Sequence, residues 1–259
     1  MSGAGGVVAL VLLEWSVGWI GAAAWTQSWS VVRRGHFRII GWGVIVLSVL
    51  ALVAVRSTAA STALSVTASC FVGGAVIYLL VQYSRTDVPG AVAGAVAALI
   101  GVIGLVVGAS LVDGWPSLLA ALQLLAGALL LGAVTNGMLL GHWYLNQPGL
   151  KPWALARLTA LSLAAAGASA VTGVLAAGRL SDAATEGAVL GLPGFGQSFG
   201  VAFFVLWLVL IGFTGVLVWL ARRCVHIRSI QSATGLYYVA LLTAGVSEFV
   251  VRYLMVHAV

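Results

Sequence analysis

Three ionisable residues stand inside apolar runs of this 259-residue chain: Glu14 in the first run, and Glu248 and Arg252 in the last. A charged side chain in such a run is costly, so each one needs a partner or a purpose. Glu248 and Arg252 are four apart, which puts them on one helix face in the favourable acid-before-base order. Opposite charges offset much of the cost of leaving water. If the first and last runs pair with their outer ends together, Glu14 comes to a similar depth and two carboxyls share one guanidinium. One arginine neutralises one acid. The second acid can then accept and release a proton near neutral pH. The competing reading is an ion pair that only fixes helix packing.

Other polar residues could add to such a site. Gln123 lies in the outer third of the fifth run, where it can hydrogen-bond a ligand carbonyl or another helix. Thr135 and Asn136 are deeper and read as helix-to-helix contacts. The segment "NGMLLGHWYLNQPGLKPW" closes that run, with His142 beside Trp143 and Tyr144, and Pro148 and Pro152 marking the turn. His142 could ligate haem, relay protons or pack at the headgroups. A b-type haem wants a second axial ligand. His36 and His226 share its side of the membrane but sit in basic gaps outside the apolar core, and His257 is on the other side. Cys70 and Cys224 have no ligand spacing and read as small buried residues. No Walker loop, Gly-x-Ser-x-Gly, His-Glu-x-x-His or Cys-x-x-Cys occurs, which argues against phosphoryl transfer, zinc proteolysis and an iron–sulfur centre within the chain.

These residues must be carried by membrane helices. The chain is 62% hydrophobic and 7% charged, with mean hydropathy +1.13. A soluble domain carries roughly 25% charged residues, so this surface does not suit water. Barrel strands would alternate polarity over about ten residues, whereas these runs are long and continuously apolar. The reading is an all-α polytopic membrane protein, one domain over residues 1–259. About eight spans are predicted, at 5–27, 37–55, 61–83, 89–111, 116–141, 153–177, 198–220 and 233–256, arranged as two four-helix bundles. The first span lacks a basic leader and reads as a retained helix rather than a cleaved signal. The gap 178–197 is long enough for a small surface helix, with Ser181 or Asp182 as its N-cap.

Basic residues set the orientation. Arg33, Arg34, Arg38, Arg85, Lys151, Arg157, Arg222, Arg223 and Arg228 fall on one side, against Arg56, Arg179 and Arg252 on the other, nine of the twelve to three. By the positive-inside rule the basic side is cytoplasmic and both termini are extracytoplasmic. Asp113, Asp182 and Glu186 fall outside. Trp29, Trp42, Trp115, Trp143 and Tyr144 sit near span ends as interfacial aromatics. The net charge of +6 reflects this topology and anionic headgroups, not nucleic acid. The patch "RRCVHIR" is a topology determinant or a dock for an acidic partner. Gly90/Gly94 and Gly104/Gly108 predict close helix packing, or else dimerisation or a cofactor against the backbone. No internal repeat relates the two halves, which disfavours an inverted-repeat transporter.

The closing run, "AGVSEFVVRYLMVH", resembles the last helix of the membrane anchor subunits of dimethyl sulfoxide reductase and the wider polysulfide-reductase anchor family. Those anchors carry Gly-Glu-x-x-x-Arg followed by aromatics and a histidine. Here Ser247 replaces the glycine, Glu248 and Arg252 keep the spacing, Tyr253 supplies an aromatic and His257 follows. The resemblance covers this one helix and the eight-span plan. It implies a haem-free anchor that exchanges electrons between membrane quinone and an attached iron–sulfur subunit, with the quinone pocket near the outer face. The resulting expectation is a quinone-interacting subunit of a respiratory redox complex in the bacterial inner membrane. The quinone is menaquinone or ubiquinone, and the partner bears iron–sulfur clusters or haem. In this reading Glu14 or Glu248 accepts protons, Arg252 orients the ring and Gln123 meets a quinone oxygen, in a pocket between the first, fifth and last spans. The alternatives are a small-molecule or ion transporter coupled through the same charges, a b-haem cytochrome using His142, and a structural or assembly factor.

Overall fold

The computed structural model describes residues 3–59, 61–84, 86–147, 149–181 and 199–257. Arg85, Pro148, Asp182 and Glu186, and the surface helix expected after Ser181 or Asp182, lie outside the described residues. Ser181 itself is the last residue of a short helix.

Among the described residues there are nine helices: α1 Gly3–Gln27, α2 Arg34–Thr58, α3 Thr62–Val81, α4 Asp87–Ala109, α5 Ser117–Trp143, α6 Trp153–Leu175, α7 Ala177–Ser181, α8 Phe199–His226 and α9 Ile230–His257. All but α7 are long and apolar enough to cross a bilayer. The chain is thus an all-α polytopic membrane protein. Local chemistry sets the helix ends. Residue Ala59 adopts a left-handed conformation (φ 49) that ends α2, and Ser61 accepts a hydrogen bond from the Leu64 amide at the start of α3. Pro116 and Pro152 directly precede α5 and α6, where a missing amide proton costs little.

Helices α1–α4 pack as a closed ring in which each touches the next and α4 returns to α1. A second ring is made by α5, α6, α8 and α9. The two four-helix bundles join chiefly where α1 lies along α5, with α9 also touching α1. As a result α1 and α5 bury the largest shares of their surfaces, while α8 is mostly turned to lipid.

The α1–α5 seam is tight. A Cβ added at Gly18 would overlap the Ala128 carbonyl, and one at Gly132 would overlap the Gly18 backbone. In α4, Gly90 makes room for Gln27, Gly94 for Ala24 and Tyr78, and Gly108 for Leu10. The glycine spacing in this helix therefore serves packing within the chain. The expectation of buried cysteines fails: Cys70 is exposed and Cys224 is half-buried. A thiol is apolar enough to face lipid without penalty. Among the expected interfacial aromatics, Trp115 is instead largely buried.

Three helices reach further toward the basic end than the apolar runs suggest. Arg34 and His36 belong to α2, Arg222, Arg223 and His226 to α8, and α9 begins at Ile230. His36 is therefore not in a solvated gap. It is buried, 3.3 Å from Asn136 Oδ1 and packed on Phe37 and Trp143. Arg34 on the same helix pairs with Asp87 at 3.0 Å, and Arg38 stacks on Tyr83.

The Asn136 amide also donates to Thr26 Oγ1 at 2.7 Å and to the Ala22 carbonyl at 3.1 Å, tying α5 to α1. Beside this cluster, Gln27 and Gln82 exchange amide hydrogen bonds at 2.7 and 3.2 Å. Asn136→Ala removes the tie between α1, α2 and α5 and leaves the His36 ring without its partner. The expected loss is about 1–2 kcal/mol, read as a lower thermal midpoint of the detergent-solubilised protein.

Candidate functional site

Glu14, Glu248 and Arg252 meet inside the bundle, between the middle of α1 and the C-terminal part of α9. The Arg252 Nε donates to Glu14 Oε1 at 2.6 Å, and its Nη2 donates to Glu248 Oε2 at 2.8 Å. All three side chains are 0% exposed. Nη2 also donates to the Gln123 main-chain carbonyl at 2.8 Å, and Nη1 lies 3.8 Å from Met255 Sδ. A guanidinium has five N–H donors in a fixed plane, so it can hold groups from three helices at once. Here it holds α1, α5 and its own helix α9.

The site is built by the packing around it. A Cβ at Gly127 of α5 would run into Glu248 Oε2 and Arg252, so glycine there lets α9 bring both charges against α5. Helix α6 adds two hydroxyls that the sequence alone did not single out. Ser169 donates to Glu248 Oε1 at 3.0 Å, and Thr172 donates to Gln123 Oε1. Gln123 thus meets another helix through its side-chain oxygen, while its Nε2 and Glu14 Oε2 are buried with no hydrogen-bond partner. Buried polar groups are normally satisfied, so two orphans beside one arginine are unusual.

Charge arithmetic limits the chemistry. Two carboxyls and one guanidinium are neutral only when the group carries one acid proton. A net charge sealed away from water costs several kcal/mol. The arrangement can hold a single exchangeable proton between helices at the first and last spans.

His142 is placed elsewhere. It lines a cavity of about 480 Å³ at the basic end between α5 and α9, together with Gly141, Tyr144, Gln231, Thr234 and Tyr238. Burial pushes the Tyr144 phenol up to about 12, so it stays neutral while donating to the Lys151 carbonyl at 2.8 Å. A second cavity of about 480 Å³ opens between α1 and α9, lined by Trp15, Tyr238, Leu241, Gly245, Val246 and Phe249. Neither is lined by Glu14, Glu248, Arg252 or Gln123. Trp15 and Phe249 are nonetheless the residues next in the chain to Glu14 and Glu248.

Thr135, expected as a helix-to-helix contact, accepts the Trp15 indole N–H at 2.8 Å. Haem would need a second ligand opposite His142. His36, the buried histidine on that side, is engaged by Asn136 and packed against Trp143, whereas His142 is turned to α9. His257 stacks on Tyr253 at the other end. No group of three or more His, Cys, Asp or Glu that could hold a metal comes together among the described residues. No protein-family model, curated protein or solved structure matches the chain significantly.

Proposed function

We propose that this chain is a quinone-interacting integral subunit of a redox complex in the bacterial inner membrane, with a partner subunit bearing iron–sulfur clusters or haem to take up or supply the electrons. The observation that carries this reading is the sealed triad of Glu14, Arg252 and Glu248, which is neutral with one acid proton. Exchange between a quinone and its quinol moves protons together with electrons, so it calls for a group that takes or gives a proton away from bulk water. The apolar cavity walled by Trp15 and Phe249 supports it, because it offers a lipid-borne ligand a surface on the two helices that carry the acids. The C-terminal resemblance to reductase anchors points the same way. In this reading Glu248 or Glu14 holds the proton, Arg252 fixes their geometry and Gln123 Nε2 is a free donor.

Glu248→Gln tests it. This variant keeps charge balance, since Glu14 and Arg252 still pair, so the helices should assemble. Quinone co-purifying with the protein should fall about tenfold, the equivalent of one hydrogen bond to a charged group. Unchanged quinone content in Glu248→Gln and Glu14→Gln alike would remove the triad from the function.

A second reading, a small-molecule or ion transporter, is favoured by one feature: the triad is a charged contact between the two bundles, where a rocking motion would make and break it. Uptake by the isolated chain in liposomes, abolished by Glu14→Gln, would put this reading first.

A further inference from the structure

The two cavities share Tyr238 and run along one stripe of α9, from Gln231 and Thr234 through Gly235, Tyr238, Leu241 and Gly245 to Phe249. The spacing of three and four residues is that of a single helix face. At 1.5 Å per residue the stripe is about 27 Å long. That nearly matches a hydrocarbon core of about 30 Å, and it is roughly twice what one lipid leaflet provides.

Two glycines on this stripe have no packing reason. A Cβ added at Gly235 or Gly245 meets nothing within 4 Å. Gly73, Gly167, Gly212 and Gly215 are equally open elsewhere in the chain; on this stripe the missing side chains leave the surface of α9 recessed. At Gly141 and Gly137 of α5 the opposite holds, since a Cβ there would strike Thr234 and Tyr237. The helices are thus pressed together beneath the groove, while glycine keeps its floor open.

The basic-end mouth is lined by the uncharged hydrogen-bonding groups Tyr144, Gln231 and Thr234, together with His142, and by no arginine or lysine. That chemistry matches a neutral ring with oxygen acceptors rather than a phosphate. Its size suits a small ring.

We propose that this groove is a quinone site, with the ring at the basic-end mouth against His142 and Gln231 and the isoprenoid chain laid over Gly235 and Gly245 toward Trp15 and Phe249. The assignment rests on the quinone reading above and adds to it a second ring position, at the basic end, separate from the one that the triad would serve. The chain, longer than a phospholipid tail in one leaflet, accounts for the length of the groove.

The test uses the full chain in detergent, with long-chain ubiquinone or its single-isoprene homologue as the probe. Bound quinone is quantified after desalting. Wild type should bind the long-chain form more tightly by at least about tenfold, the worth of two buried methylenes. A Cβ at Gly245 meets nothing within 4 Å, so Gly245→Leu should fold, with a thermal midpoint at or above that of wild type. It should lower long-chain binding about tenfold and leave the single-isoprene homologue unaffected. Gln231→Ala should weaken both forms equally. Binding of both homologues that ignores Gly245→Leu and Gln231→Ala overturns the groove but keeps the quinone reading. A wild type that binds neither homologue overturns both. Phosphatidylglycerol retained in place of quinone, and released by Gly245→Leu, also overturns the assignment.

Discussion

Arg252→Met is expected to destabilise the folded protein by about 3–5 kcal/mol, the range for removing one partner of a buried ion pair. The side chain is wholly buried and its guanidinium is the only cation against Glu14 and Glu248 in the described structure. Methionine fills similar volume but leaves two carboxyls facing each other in an apolar seam, along with an unmet Gln123 carbonyl. Thermal melts in mild detergent should show the loss, as should the yield of monodisperse protein.

The single acid variants behave differently. Glu14→Gln and Glu248→Gln each leave one acid with the arginine, and should melt within about 1–2 kcal/mol of wild type. The double variant strands the arginine and should resemble Arg252→Met. Adding both Gln substitutions to Arg252→Met removes every charge and should restore much of the stability, because neutral replacement of buried ion networks is often tolerated. It should not restore quinone binding. That split separates a structural role of the triad from a proton-handling one.

The second large effect is expected at the α1–α5 seam. Gly18→Ala places a methyl on the Ala128 carbonyl, and Gly132→Ala places one on the Gly18 backbone. Overpacking costs typically 1–3 kcal/mol when side chains can adjust. Here the obstacle is backbone, so the helices themselves must separate, and about 3 kcal/mol or more is expected for either variant. Separation also draws Glu14 away from Arg252, so quinone content should fall together with the thermal midpoint. Gly73→Ala and Gly167→Ala are the controls. A Cβ at either meets nothing within 4 Å, and helix propensity alone should stabilise them by up to about 1 kcal/mol. A Gly18→Ala protein that melts like these controls would mean that α1 and α5 do not approach as described.

Much of this architecture could be read from the residues. Long apolar runs locate all eight spans, because the bilayer demands their length and composition. The runs end too early at the basic side. Arginine can keep its stem on the helix and its head at the interface, so Arg34, Arg222 and Arg223 continue helices that hydropathy cuts short. The same effect hid His36, whose basic neighbours mimic a solvated gap, although Arg34 is paired with Asp87 and His36 turns inward to Asn136.

The pairing of α1 with α9 was legible, because lone charges in lipid must find each other. What surrounds the triad was not. Ser169 and Thr172 look like ordinary helix hydroxyls, which usually bond to their own backbone. Gly127 is one of 33 glycines. Helix faces are also hard to assign in α1 and α5, since lipid-facing and protein-facing surfaces are equally apolar. The grooves along α9 depend on such faces, so His142 and Gln231 could not be matched in advance.

The most direct test of the central claim is infrared difference spectroscopy on the purified protein near neutral pH, with and without bound quinone. A protonated carboxyl band equivalent to one acid per chain is expected. The band should shift on quinone reduction, and it should vanish in both Glu14→Gln and Glu248→Gln. A band that persists in either variant, or that ignores the redox state of the quinone, would contradict the claim that these two acids share a working proton.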